Sequence, residues 1–326
     1  RDERIVFGTV GLGLTPSEIP SLGVDDGRTQ PPSAAFAVRG TATADGKPLL
    51  AHHFALLDAN VSHKHAVLFV HRPDKGTPHV TLGWAGIVWG FSGMNRHGLS
   101  VAVNLSDTLD NPLAGAVRSD IFNARLLSSG TPIGIAVREA LANRSDSDGA
   151  RAFLKTVKST FGWNLLLADR HGALLGVEMD GDILGEENSY RVFAPDDPKA
   201  PDQAHVGEDD LRIASHFQAN VPDIDTNILI FAVQPQRYWS SFYYRSLRAH
   251  GLLGQAIAEG YGKISVSTMF DILRTPGLVD QRDSMNAVVF EPKERVFHYA
   301  MGQVPATDGN FVRFDLEAFL DSLEGP

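Results

Sequence analysis

The chain has 326 residues, 43% of them hydrophobic, and a net charge of −10. That is enough to bury a large core, and too acidic for a partner whose phosphates must be neutralised by clustered Lys and Arg. The sequence holds no cysteine, which excludes a disulfide, a thiolate metal site and a thiol nucleophile, and no apolar run approaches the roughly 20 residues that a membrane helix needs.

The chain begins at Arg1 rather than Met, which fits removal of an upstream segment such as a signal peptide and so fits export. Residues 1–32 are rich in Gly and Pro and end in Gln30-Pro31-Pro32, which favours extended backbone. They read as a leader or pro-segment to one domain spanning 33–326. Phe36–Gly40 and Pro48–Ala51 flank Ala44-Asp45-Gly46-Lys47, whose Asp-Gly pair predicts a tight hairpin. Further strands are expected at Ala66–Val70 and at Leu99–Asn104, the second after the turn-prone Asn95-Arg96-His97-Gly98. Helical spacing then takes over at Ser119–Ser128, Pro132–Ala142 and Asp148–Lys158. Trp163–Asp169 and Ala173–Glu178 around Arg170-His171-Gly172 predict a second hairpin.

Residues 194–212, with six Asp or Glu and three Pro, read as a solvated acidic loop. Helices are expected near Arg237–His250 and Ser267–Arg274. Strands follow at Asn286–Phe290 and Val296–Ala300, joined by Pro292-Lys293-Glu294. This alternation suggests an α+β domain of two antiparallel sheets with helices outside them. No repeat of 20 to 50 residues is present, so a solenoid is not expected.

The stretch Ser33-Ala34-Ala35-Phe36-Ala37-Val38-Arg39-Gly40, the turn-and-strand Gly93-Met94-Asn95-Arg96-His97-Gly98-Leu99 through Asn104, the hairpin from Trp163-Asn164 to Asp169, Gly172 and Glu178, and Pro235-Gln236-Arg237-Tyr238 occur in an order that resembles the penicillin acyltransferase-like and choloylglycine hydrolase-like families. Val288–Pro292 and Phe311–Leu316 fit the same order, so the resemblance covers most of residues 33–316. It implies a four-layer αββα N-terminal-nucleophile hydrolase fold in which self-cleavage frees a nucleophile whose own α-amino group is the general base. The nucleophile position falls on Ser33, where those families carry Cys. Asn104 and Asn164 match asparagines that support the oxyanion. Arg237 matches an arginine near the nucleophile, where a fixed cation lowers the amine pKa. His52, His53 and Trp84 are assigned to the substrate pocket, His53 as a candidate proton carrier.

The chain also departs from the families' pattern. Ala55 stands where they place an Asp, His52-His53 replace Arg-Asn, and strand alternation sets Asp58 on the opposite face from Ala55. The usual nucleophile, carboxylate and neighbouring arginine are thus all changed, and three changes around one site point to altered chemistry, a lost activity or deliberate inactivation. A separate idea comes from His52, His53, His63, His65, His71 and His79, half of the chain's 12 histidines; His63 and His65 on one strand face would suit two metal ligands.

The expected activity is that of an amide hydrolase or acyltransferase acting on a small amide or acyl donor, without a cofactor, a nucleic acid partner or a membrane span, and compatible with a homo-oligomer. The alternative is a catalytically altered or inactive member of the fold that binds a small molecule.

Overall fold

The computed structural model describes residues 33–55, 63–106, 130–159, 162–181, 190–215, 239–278 and 284–322. β1 (Ala34–Gly40) and β2 (Gly46–Ala55) form the expected hairpin, with Gly46 at φ +77° taking the left-handed conformation that its turn requires. β2 pairs antiparallel with β11 (Ser284–Glu291), and β1 with β10 (Asp210–Ala214). With β12 (Val296–Met301) and β13 (Val312–Asp315) they make a six-stranded sheet, ordered β10-β1-β2-β11-β12-β13.

The second sheet runs in chain order. It comprises β3 (Ala66–His71), β4 (His79–Trp84), β5 (Ile87–Asn95), β6 (Ser100–Leu105), β7 (Trp163–Ala168), β8 (Leu174–Met179) and β9 (Tyr190–Phe193). Five helices complete the described residues: α1 (Ile133–Asn143), α2 (Ser147–Leu154), α3 (Trp239–Gly260), α4 (Val266–Leu273) and α5 (Leu316–Ser322).

Strand alternation divides the apolar residues into three layers of core. Between the sheets, Ala35, Ala37, Leu50, Val288 and Phe290 meet Val80, Leu82, Met94, Ala102 and Leu166. On the outside of the first sheet, Phe36, Val38, Ala51 and Val289 are covered by Leu253 and Ile257 of α3 and by Met269 and Leu273 of α4. On the outside of the second, Val101, Val103, Leu165 and Leu167 are covered by Ile133, Val137 and Leu141 of α1 and Leu154 of α2. The result is the expected α+β αββα sandwich.

Two turn residues of the sequence motifs tie the helices to the second sheet. Asn95 donates from Nδ2 to the carbonyls of Leu141 and Arg144 at the end of α1, while its Oδ1 accepts from the N–H groups of His97 and Leu99. Asp169 accepts from the N–H of Ser147 at the start of α2 and from those of His171 and Ala173 in its own turn. Both side chains satisfy backbone groups that burial would otherwise strand.

The structure differs from the sequence reading in three places. Residues 194–212 are not all loop: Asp210, Leu211 and Arg212 belong to β10, where Leu211 and Ile213 enter the inter-sheet core. Asp210 is buried because the N–H groups of Val206 and Gly207 bind its carboxylate at 2.7–3.0 Å. β4 and β5 were not among the expected strands, and Gly93 stood only at the head of a turn-and-strand motif. Gly93 is instead a spacer, since a Cβ there would lie 2.5 Å from the Val80 carbonyl and 2.7 Å from Leu141 of α1. His63 and His65 sit on a 3-10 turn, not on a strand face. The helix expected at Ser119–Ser128 lies outside the described residues.

Candidate active site

Ser33 immediately precedes β1 and is buried. Ala34 pairs with His53 on one side and with Ala214 on the other, so Ser33 enters the sheet between β2 and β10. Its hydroxyl accepts from the Ala55 N–H at 3.0 Å and donates to the Ala55 carbonyl at 3.2 Å. Its own carbonyl accepts from both the N–H and the hydroxyl of Ser215, at 2.9 and 3.2 Å. The main chain on both neighbours thus fixes Ser33, and alternation turns its side chain toward the second sheet with Ala35 and Ala37.

Across the inter-sheet space, Asn104 on β6 pairs with Asn164 on β7, Asn164 with Glu178 on β8, and Glu178 with Arg191 on β9. Residues directly opposite in register share a face, so these four form a polar row across four strands. Arg191 closes it with a two-pronged contact to Asp180 at 3.1 and 3.2 Å and a 3.5 Å approach to Glu178. Asn164 Nδ2 donates to the Ala214 carbonyl at 2.9 Å and ties the row to β10, one residue from the Ser215 clamp on Ser33.

His52 reaches into this space from β2. Its Nε2 lies 2.9 Å from Asn104 Oδ1 and its Nδ1 2.5 Å from Ser92 Oγ on β5. Burial holds its pKa down to about 4 despite the Asn104 hydrogen bond, so the ring is neutral near pH 7. Asn104 Nδ2 is buried and has no hydrogen-bond partner.

Of the residues assigned from sequence, the fold turns Ser33 and His52 of the first sheet and Asn104 and Asn164 of the second toward the space between the sheets. Trp84 stands close by. Its ring lies 5.6 Å from that of Phe54 on β2, and Phe91 completes the cluster at 4.7 Å from Phe54. His53 is not among them: alternation turns it to the helix-covered face of the first sheet with Leu49 and Ala51. There both ring nitrogens are buried without a partner, and burial with the neighbouring His52 pushes its pKa down to about 3, which does not suit a proton carrier. Arg237 and Asp58 lie outside the described residues.

Among the described residues, no three His, Asp or Glu side chains gather to hold a metal, and no helix is long and apolar enough to cross a membrane. His71 and His79 instead stack on each other with ring centroids 4.5 Å apart, and bond to Thr81 and to the Thr77 carbonyl. The sequence reading missed Ser92 and Ser215. Ser92 lies on β5, a Gly-rich strand that was not among the expected ones. Ser215 follows a segment that read as acidic loop.

Residues 42–184 match the sequence model of the acyl-coenzyme A:6-aminopenicillanic acid acyl-transferase family. The match includes Asn104 and Asn164 and begins after Ser33. No individual curated protein matches the chain. Among solved structures, the chain is similar to a Caenorhabditis elegans N-acylethanolamine-hydrolyzing acid amidase ortholog at 12% identity and a TM-score of 0.53, over 80% of this chain and 93% of that one. It is also similar to a variant of the conjugated bile acid hydrolase from Clostridium perfringens at 12% identity and a TM-score of 0.50, over 88% of this chain and 93% of that one. At such low identity these likenesses establish the fold, that of the N-terminal-nucleophile hydrolases, in agreement with the resemblance read from the motifs.

Proposed function

We propose that this chain, with its N-terminal-nucleophile hydrolase fold, cleaves or transfers the acyl group of a small amide or acyl donor through Ser33. The observation that carries the reading is that a buried Ser33 hydroxyl on the first sheet and the buried, unpartnered Asn104 Nδ2 on the second both belong to the layer between the sheets. In the first step, Ser33 Oγ attacks the Pro32 carbonyl carbon and the Pro32–Ser33 bond passes to an ester. Water hydrolyses that ester, leaving a carboxylate on Pro32 and a free amine on Ser33. The amine then takes the Oγ proton as Oγ attacks the substrate carbonyl, and returns it to the departing amine. Water or an acceptor amine releases the acyl group from Ser33.

Negative charge builds on the carbonyl oxygen during attack, so a fixed N–H donor in a water-poor site stabilises the transition state more than the ground state. Asn104 supplies such a donor, Asn164 is assigned the neighbouring position on the next strand, and Arg237 the role of the fixed cation. His52 and Trp84 are assigned to the pocket wall. A hydroxyl attacks more weakly than a thiolate, and Ala55 offers no carboxylate to the amine, so a slow enzyme is expected. Residues 1–32 act as the pro-segment of a single catalytic domain.

A second reading is favoured by one specific contact. In the described structure the Ser33 hydroxyl is occupied at both ends by Ala55, which suits a binding protein that keeps the pocket without the chemistry. Incubation with p-nitrophenyl butyrate followed by peptide mass spectrometry separates the two. The enzyme reading predicts a butyryl group on Ser33, absent in Ser33→Ala; no acylation at Ser33 supports the binding protein.

A further inference from the structure

The contacts of His52 determine its tautomer. An amide oxygen only accepts hydrogen bonds, so the 2.9 Å contact between His52 Nε2 and Asn104 Oδ1 requires a proton on Nε2. A neutral imidazole then has a bare Nδ1, which must accept, and Ser92 Oγ at 2.5 Å must donate to it. The chain of bonds runs in one direction: Ser92 O–H to His52 Nδ1, His52 Nε2–H to Asn104 Oδ1. All three side chains are buried, and both His52 nitrogens are committed, so His52 has no free nitrogen with which to move a proton.

The amide end that this chain leaves over is Asn104 Nδ2, a buried donor without a partner. A buried donor left without a partner is destabilising, and turning the amide over would bring no relief, because it would strand the oxygen in its place. We propose that His52 is a positioning residue that locks the Asn104 amide with its N–H groups toward the reacting carbonyl oxygen, and that Ser92 selects the tautomer that makes this lock possible. The inference rests on Asn104 as the oxyanion donor of the proposed reaction and adds the device that orients it. It also accounts for three buried polar residues, on β2, β5 and β6, among the apolar residues of the inter-sheet layer.

Long-range proton–nitrogen NMR of the His52 ring tests the lock without any need for turnover. The Nε2–H tautomer is expected throughout pH 5–8, and an Nδ1–H tautomer would overturn the proposal. Ser92→Ala should convert the ring to a mixture of tautomers; an unchanged ring would contradict the assigned role of Ser92. In kinetics of Ser33 acylation by p-nitrophenyl butyrate, His52→Leu should lower the maximal rate by about 10- to 100-fold with little change in half-saturation. His52→Gln, which keeps a donor for Asn104, should recover part of that loss. Equal rates for Leu and Gln would overturn the positioning role. If Ser33 is never acylated, the kinetic arm falls with the proposed function, while the NMR arm still decides how Asn104 is held.

Discussion

Ser33 and Ala55 hold each other through the Ser33 hydroxyl, which accepts from the Ala55 N–H and donates to the Ala55 carbonyl. The residue that lacks the carboxylate of the resembling families is therefore the one whose main chain grips the candidate nucleophile. A thiol at position 33 would make weaker hydrogen bonds to both groups and would be the stronger nucleophile. We predict that Ser33→Cys raises the rate of acylation by p-nitrophenyl butyrate at pH 8 by at least about tenfold, as measured by nitrophenolate release. A rate no higher than that of the Ser33 protein would argue that position 33 is not where the acyl group lands.

Asn104 gives a second expected outcome. Asn104→Leu removes the buried donor and should lower the acylation rate about 100- to 1,000-fold. The folded structure should survive, because the substitution also removes an unsatisfied buried group, although it leaves His52 Nε2–H without an acceptor. Circular dichroism alongside the kinetics separates the two effects. A well-folded variant that acylates at full rate would count against Asn104 as the oxyanion donor.

The buried histidines make stability depend on pH with a defined sign. His52 and His53 have folded pKa values lowered from 6.5 to about 4 and about 3, chiefly by burial. Between those values and 6.5 the unfolded chain binds protons that the folded chain refuses, so their contribution is full above pH 6.5 and is lost as pH falls toward 4 and below. Each such histidine adds a slope of up to roughly 1.4 kcal/mol per pH unit in that window. His53→Leu, which also removes two unpartnered nitrogens, should flatten denaturant-measured stability between pH 6.5 and 4.5. The same pH slope in the variant would show that His53 does not titrate as its burial requires.

Gly98 provides a test of the packing between the two sheets. It adopts φ +85°, and a Cβ there would lie 2.4 Å from the Pro292 carbonyl in the β11–β12 turn. Gly98→Ala should cost about 2 kcal/mol or more, from left-handed strain plus the clash. Gly172→Ala is the control: φ is +93° but no atom lies within 4 Å, so only the strain of about 1 kcal/mol remains. Equal losses of thermal midpoint in the two variants would mean that the contact of Gly98 with Pro292 carries no weight.

The sequence carried the outline of the fold where local signals agreed with tertiary ones. The β1–β2 hairpin was legible because Asp45-Gly46 marks the turn and apolar residues alternate on both sides. β5 was not, because its glycines make room for α1 rather than for a turn. β10 was missed because Asp210 and Arg212 look solvent-facing until the N–H groups that bind Asp210 are seen. In the candidate site, motif order pointed to Ser33, Asn104 and Asn164. The link from His52 to Asn104 was not, since the two lie 52 residues apart and only strand register sets them face to face. Register also separated His52 from His53, which the sequence had grouped together.

The central claim is that Ser33 becomes a free N-terminal nucleophile. Intact-mass measurement of the purified chain, with N-terminal sequencing of the product, tests it most directly. The account predicts a species that begins at Ser33 and is not formed by Ser33→Ala. A wild-type chain that remains joined across Pro32–Ser33 after prolonged incubation would contradict it, and would leave the binding-protein reading in its place.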